Sequence, residues 1–213
     1  MDRSGIGLEE AIAALPLIAI LRGVDPHEVE DIGAALVEAG FRIIEIPLNS
    51  PDPFRSIEIL AARFGDRALI GGGTVMTADR ARRVSGAGGR LVVMPHSDPE
   101  VIRAAKSGGA WCLPGVATPT EGFAALTAGA DGLKLFPAEG IPPAIVKAWK
   151  AVFPAAVPLF PVGGIAPEHM ALYVAAGAAG FGIGSALYRP GITAGEIGPK
   201  AAAFVAAWRA IRN

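Results

Sequence analysis

The chain contains 213 residues, of which 52% are hydrophobic and 18% are charged, and its formal net charge is −1. This balance argues against a nucleic-acid-binding surface, which needs clustered positive charge, and the apolar fraction is too high for a disordered chain. The single cysteine, Cys112, excludes an internal disulfide and a thiolate metal cluster, and it is predicted to be a buried core thiol.

The first predicted elements are a short helix and a buried strand, which share the apolar stretch 11–21. Pro16 interrupts this stretch, which is too short to span a bilayer. The preceding residues 2–10 carry three acidic side chains and one arginine, the wrong charge for the start of a signal peptide. We therefore expect a cytoplasmic protein.

Short apolar runs recur along the chain, and most of them lack a polar alternate face. That pattern is typical of parallel strands covered on both sides, and alanine-rich, helix-compatible segments lie between the runs. The runs are residues 17–21, 43–46, 69–70, 91–94, 111–113, 133–136, 159–162 and 181–183.

The boundaries between these runs carry helix signals. Asp25 and Thr118 are each followed by a proline and, three residues on, by a glutamate, which predicts that helices begin there. Four glycines are predicted to end helices in the left-handed conformation: Gly40, Gly108, Gly129 and Gly177.

Eight strand–helix units at this spacing fill the chain and predict one domain, residues 1–213. The alternation favours an α/β fold, a (β/α)8 TIM barrel with a short N-terminal helix. The alternative is a doubly wound open sheet, which would need a glycine fingerprint after the first strand. Residues 21–24 do not provide one.

A lysine stands inside the sixth run, where a charge is unexpected. Lys134 lies between two leucines, and strand alternation places it on the opposite face, inside a barrel. Burying an ammonium group is costly unless it is well paired, but a desolvated lysine loses its proton readily and becomes a nucleophile for carbonyl substrates. The structural alternatives are a lysine reaching the rim or half of a buried ion pair.

Two further charges share this inward phase. Glu45 is predicted to be a general acid or base, or else a structural partner of Lys134 or Arg22. Arg22 ends the first run, and its guanidinium suits a carboxylate or phosphate, although it could equally cap the barrel mouth.

Glycine-rich turns follow the last two runs at Gly163-Gly164 and Gly184-Ser185. The loops after strands seven and eight are the usual phosphate site of a barrel, so these turns predict a phosphorylated ligand. The glycine turn 71–73 lets a ligand approach the backbone, and Thr74 adds a hydroxyl group.

The histidines give weaker signals. His96 follows Met94-Pro95 at the mouth after the fourth strand, where it could contact substrate. His27 and His169 fall in first turns of predicted helices and are expected to be solvated. The three lack metal-ligand spacing, so no bound metal is predicted.

Together, these features resemble the class I pyruvate aldolases that cleave 2-keto-3-deoxy-6-phospho-sugar acids. The resemblance extends from residue 15 to about residue 190. The motifs that carry it are AILRG at 19–23, EIPLNS at 45–50, GTV at 73–75, LKLFP at 133–137, VGG at 162–164 and GS at 184–185.

Within that family, residues 47–50 read PLNS where the phosphogluconate-type enzymes carry a threonine-leucine-arginine-threonine run. With Arg22 on the first strand, this pattern resembles the phosphogalactonate branch, which degrades galactonate. The resemblance implies cleavage of 2-dehydro-3-deoxy-6-phosphogalactonate to pyruvate and D-glyceraldehyde 3-phosphate, with no cofactor, in a homotrimer. It implies no nucleic-acid or membrane partner.

The resemblance also implies roles for individual residues. Lys134 would form the Schiff base, and Glu45 would move protons. Arg22 and Thr74 would hold the keto-acid end. The phosphate group would bind Gly163, Gly164, Gly184 and Ser185, and the candidates for further substrate contact are Asn49, Pro95 and His96.

Three alternatives remain open from the sequence. The chain could prefer the phosphogluconate epimer or accept both epimers. It could be an isomerase or synthase on a phosphorylated substrate, because many such enzymes are barrels with the same anion site. It could also be a non-catalytic sensor of a sugar phosphate, in which case ligand would stabilise the fold without forming product.

Overall fold

The computed structural model describes residues 5–212. The predicted domain limits, 1 and 213, and the N-terminal charges Asp2 and Arg3 lie outside the described residues. The strands are β1 (Leu17–Ile20), β2 (Ile43–Pro47), β3 (Leu69–Gly73), β4 (Leu91–Val93), β5 (Trp111–Leu113), β6 (Gly115–Val116), β7 (Leu133–Leu135), β8 (Leu159–Pro161) and β9 (Phe181–Ile183).

Helices alternate with these strands. They are α1 (Leu8–Ala14), α2 (Val29–Ala39), α3 (Pro53–Phe64), α4 (Ala78–Gly86), α5 (Pro99–Ser107), α6 (Pro119–Thr127), α7 (Pro143–Lys150), α8 (Met170–Ala175) and α9 (Ala194–Arg212). Each of the eight apolar runs contains a strand, as predicted, although several boundaries differ by one to three residues.

The strands form two sheets, ordered β5-β4-β3-β2-β1-β9 and β6-β7-β8, and every strand pairing among the described residues is parallel. The larger sheet curls, and its last strand lies beside its first. In a doubly wound sheet the first strand instead pairs with a strand from the middle of the chain, because the strand order reverses there. The prediction of a parallel α/β fold is confirmed.

The two sheets meet at both edges. At one edge the predicted strand 111–113 is β5, and the chain continues through Pro114 into β6, which was not predicted. The Lys134 N–H donates to the Pro114 carbonyl over 2.9 Å, which joins β7 to the residue between β5 and β6. At the other edge, Val162 forms a parallel bridge with Gly182 of β9.

Two layers of apolar side chains hold the elements together. Strand residues that point outwards pack against the helices in the larger cluster, while the smaller cluster fills the space between the strands. Because Leu8 and Ala11 belong to the smaller cluster, α1 covers one end of that interior. The strand members of the interior cluster are Ile18, Ile43, Leu69, Leu91, Val93, Leu113 and Phe160.

Two helix predictions show how local chemistry decides a boundary. Helix α6 begins as predicted: Thr118 and Glu121 form a capping box. The predicted start of α2 after Asp25 is wrong, because the helix begins at Val29. Asp25 instead accepts a hydrogen bond from the backbone N–H of His27, which forms a separate turn before the helix.

Three of the four glycines predicted to end helices adopt the left-handed conformation. Gly40, Gly129 and Gly177 have φ values of 111°, 105° and 101°. The prediction for Gly108 is wrong, since its φ is −78°. The next residue, Gly109, takes the left-handed conformation instead, with φ 77°. Within residues 5–212, no helix combines the length and apolar character needed to cross a membrane.

Candidate active site

Lys134 lies in the interior, as predicted. Strand β7 pairs it with Gly115 of β6 on one side and with Phe160 of β8 on the other. Its neighbours Leu133 and Leu135 pack towards the helices, which leaves the lysine on the inner face with 5% exposure. Its ammonium nitrogen lies 4.7 Å from the ring centroid of Phe136, a favourable cation–π distance.

Glu45 occupies the corresponding inner position of β2 and is 1% exposed. Its Oε2 atom has no hydrogen-bond partner among the described residues. Burial raises the pKa of this carboxyl group to about 7, against the opposing influence of Lys134 and Arg22. Glu45 therefore stands near the middle of its titration at neutral pH, which suits a group that takes up and returns a proton.

Burial also lowers the pKa of Lys134; Glu45 opposes this shift, whereas Arg22 adds to it. The two groups thus influence each other electrostatically. Within the described part of the chain, however, no ion pair includes Lys134 or Glu45. The alternative prediction, that Lys134 and Glu45 form a buried salt bridge, therefore does not hold. Both side chains remain available to a substrate.

Gly73 makes room for the Glu45 carboxyl group. A Cβ atom at position 73 would collide with both carboxylate oxygens and with the carbon between them. The predicted glycine turn at 71–73 is wrong, because these residues form the last part of β3 and pair with β2. The glycine at position 73 is instead required by the Glu45 side chain of that neighbouring strand.

We expect Gly73→Ala to lower kcat on the order of 10²-fold, because it would displace the carboxyl group of Glu45, the predicted general acid or base. Steady-state kinetics on the sugar-acid substrate would measure the loss. Gly86→Ala is the matched control, since a Cβ there has open space. A Gly73→Ala enzyme with the kcat of the Gly86→Ala enzyme would show that the carboxyl group is not held by this contact.

Arg22 follows β1 and is held by two side chains from neighbouring loops. It donates to Asn49 Oδ1 over 2.6 Å, and both of its terminal nitrogens lie 3.4 Å from Thr74 Oγ1. Thr74 has a φ of 54°, a conformation that costs energy for a residue branched at Cβ. The structure thus brings together the two residues predicted for the keto-acid end, Arg22 and Thr74, with Asn49, a candidate for further substrate contact.

A cavity of about 430 Å³ opens beside Lys134. Ile20 and Phe136 contribute apolar surface, and Arg22 contributes its charge. All four residues predicted to bind phosphate also line it: Gly163, Gly164, Gly184 and Ser185. Lys134, Arg22 and the glycine turns are therefore parts of one site.

The turn after β9 presents backbone donors towards this cavity. The N–H groups of Leu187 and Tyr188 both donate to the Gly184 carbonyl, which closes a tight turn. Ser185 and Ala186 begin that turn and line the cavity, and their N–H groups have no acceptor among residues 5–212. Free N–H groups at the start of a helical turn are a favourable anion site.

Pro95 and His96 lie against strand β6 and do not line the cavity that contains Lys134. The His96 carbonyl accepts from Gly115 N–H over 3.1 Å, and its Nδ1 is buried with no partner in the described structure. A substrate contact by either residue stays a prediction.

The remaining predictions concern the other histidines and the thiol. His27 is exposed, as expected. His169 is exposed too, yet its Nδ1 lies 3.1 Å from the Gly164 carbonyl, a contact that was not predicted. Cys112 is buried, as predicted, and desolvation raises its pKa to about 12. Within the described range no cluster of three His, Cys, Asp or Glu side chains could hold a metal ion.

Sequence reasoning missed Tyr188 and Arg189, which line the cavity after β9. It also missed Glu139, whose carboxyl group lies where a Cβ on Gly163 would be. Arg189 could have been recognised from the sequence, because a cation four residues after Ser185 is a second signal for anion binding. The position of Glu139 could not, because it depends on how two separate loops pack.

Comparisons with known proteins agree with this site. The family model described as "KDPG and KHG aldolase" matches residues 8–198. A protein of Rhizobium meliloti (strain 1021) described as a probable 2-dehydro-3-deoxy-6-phosphogalactonate aldolase is 49% identical, over 92% of each chain. The 2-dehydro-3-deoxy-6-phosphogalactonate aldolase of Escherichia coli (strain K12) is 47% identical over 92% of this chain and 95% of its own.

A solved structure described as "Native KDPGal structure" matches the fold with a TM-score of 0.91 and 46% identity, over 93% of this chain and 96% of the other. The predicted family resemblance and the predicted carbon–carbon lyase are confirmed. The chain belongs to the KDPG and KHG aldolase family.

Proposed function

We propose that the chain cleaves 2-dehydro-3-deoxy-6-phosphogalactonate to pyruvate and D-glyceraldehyde 3-phosphate through a Schiff base on Lys134. The observation that carries this proposal is a pair of buried groups, Lys134 and Glu45, which influence each other electrostatically but form no ion pair among residues 5–212. An amine with a lowered pKa and a carboxyl group with a raised pKa are what this chemistry needs.

In the proposed reaction, neutral Lys134 attacks the C2 ketone of the substrate. Loss of water gives a protonated imine, which accepts the electron pair when the C3–C4 bond breaks. Glu45 takes the proton of the C4 hydroxyl group, so that C4 leaves as the aldehyde carbon of glyceraldehyde 3-phosphate. The enamine then regains a proton at C3, and water hydrolyses the imine to release pyruvate and free Lys134.

The cavity supports a direction for the bound substrate. Arg22, held by Asn49 and Thr74, would bind the carboxylate next to the reacting ketone. The turns at Gly163-Gly164 and Gly184-Ser185 would bind the phosphate group at the far end. Placing the two anions apart would align C2 with Lys134.

The preference for the galactonate epimer rests on the relatives of that name and on the 47–50 motif. Its test is pyruvate release from each epimer, followed with a coupled lactate dehydrogenase assay. We expect kcat/KM for the phosphogalactonate epimer to exceed that for the phosphogluconate epimer by at least about 10-fold. A preference for the phosphogluconate epimer would select the alternative specificity, and release from neither would overturn the proposed function.

Three finer statements belong to this proposal. The contacts of β7 with Pro114 and of Val162 with Gly182 support closure of the two sheets into one eight-stranded barrel. The family resemblance supports a homotrimer, whose mass sedimentation would measure. The proposal also includes a cytoplasmic location, as expected from the sequence, and a soluble sugar-acid substrate is compatible with it.

A further inference from the structure

We infer that Arg189 is the side chain that binds the substrate phosphate group and sets the preference for phosphorylated over unphosphorylated substrates. This inference rests on the proposed aldolase function. It adds a charged residue to an anion site otherwise formed by backbone N–H groups and the Ser185 hydroxyl.

The side chain of Arg189 is folded back over the turn that begins at Ser185. Its Nε donates to the Ser185 carbonyl over 3.1 Å, and the residue lines the cavity together with Lys134. Among the described residues, neither of its terminal nitrogens has an acceptor, and no carboxylate forms an ion pair with it. The two terminal nitrogens of this guanidinium can therefore donate to two oxygens of a phosphate group.

The residues on either side of Arg189 are anchored to the β1–α2 loop. Tyr188 is 2% exposed, and its hydroxyl donates to Glu28 Oε1 over 2.7 Å. Pro190 packs closely on Gly23: a Cβ atom added to Gly23 would lie 2.8 Å from the Cγ atom of Pro190. Arg189 is therefore presented from a fixed backbone, which reduces the entropy lost when it binds an anion.

The charges around the cavity also favour this role. Arg22 is already bonded to Asn49 and Thr74, next to the reacting groups. At the other end, the Glu139 carboxyl group lies against Gly163 and Gly164 and would repel a phosphate dianion bound there. A cation on the opposite turn offsets that repulsion. Among the described residues that line the cavity, only Arg22, Lys134 and Arg189 are basic.

The test compares two aldol acceptors in the reverse reaction, pyruvate with glyceraldehyde 3-phosphate and pyruvate with unphosphorylated glyceraldehyde. For Arg189→Gln we expect kcat/KM for the phosphorylated acceptor to fall about 10- to 100-fold, with most of the loss in KM. The value for glyceraldehyde should fall far less. Arg189→Lys, which keeps the charge, should recover part of the lost selectivity.

Two further variants separate binding from support of the fold. Arg55→Gln removes an exposed arginine that pairs with Glu58 on α3, outside the cavity, and should leave the acceptor ratio unchanged. Tyr188→Phe keeps the ring but loses the bond to Glu28, and should lower the ratio in the same direction by a smaller factor.

Equal losses for both acceptors in Arg189→Gln would overturn the inference, because they would show a structural role only. Wild-type protein that joins pyruvate to neither acceptor would instead overturn the proposed function, and the inference with it. The two failures are thus distinguishable in one set of assays.

Discussion

Lys134→Met is expected to abolish turnover, a loss of about 10⁴-fold or more, because the substitution removes the amine that is proposed to form the imine. Among the described residues, no other lysine lines the cavity. Methionine keeps most of the volume of the buried stem, so the loss would report on the missing nitrogen and not on a cavity in the core.

The matched control is Lys147→Met, which changes an exposed lysine on α7 and should retain the wild-type rate. Thermal unfolding of both variants would establish that each is folded. A folded Lys134→Met enzyme that still releases pyruvate at more than a trace of the wild-type rate would contradict the covalent mechanism.

Glu45→Gln is expected to lower kcat by about 10²–10⁴-fold, because glutamine has nearly the same shape but cannot take the C4 hydroxyl proton. Glu58→Gln, on the exposed face of α3, is the control and should change the rate little. Single-turnover release of glyceraldehyde 3-phosphate would measure the bond-breaking step itself. A wild-type rate in Glu45→Gln would remove the assigned role.

The pKa of Glu45 also predicts two pH effects. If the carboxylate is the base, kcat should rise as pH passes through about 7, and this inflection should be absent from Glu45→Gln. The folded-state pKa lies above the ordinary value of 4.5, so the folded protein holds the proton more tightly than the unfolded chain. This contribution to stability is complete below pH 4.5 and is lost as pH rises through 7.

The stability effect can be measured separately from the rate. Urea unfolding of wild type and Glu45→Gln between pH 4.5 and 8 should show the difference in unfolding free energy shifting in favour of the variant as pH rises. A difference that is independent of pH over this range would contradict the raised pKa.

The inner positions of Lys134 and Glu45 could be predicted because strand alternation is a local rule. Lys134 and Glu45 each lie between apolar neighbours that must face the helices, and burial of Leu133, Leu135 and Ile44 leaves one face for the charge. The glycine turns after the last strands could be placed for a related reason, since the chain order of a parallel fold fixes where each strand ends.

Other parts of the site depend on contacts between distant residues, which no local pattern contains. The hydrogen bond between Tyr188 and Glu28 joins residues that are 160 positions apart in the sequence. The collision that forbids a side chain at Gly73 comes from Glu45 on the adjacent strand. Likewise, Pro114 ends β5 because it has no N–H group to donate, but only the packing shows that the chain continues as β6.

The most direct test of the central claim is the mass of the intact protein after incubation with pyruvate and borohydride, followed by peptide mapping. Reduction of the imine fixes the ligand to the nitrogen that carried it. We expect one reduced pyruvyl adduct, located on Lys134, in wild type and in Glu45→Gln, and none in Lys134→Met. Folded wild-type protein that acquires no adduct, or acquires it on another lysine, would contradict the assignment of Lys134 as the Schiff-base residue.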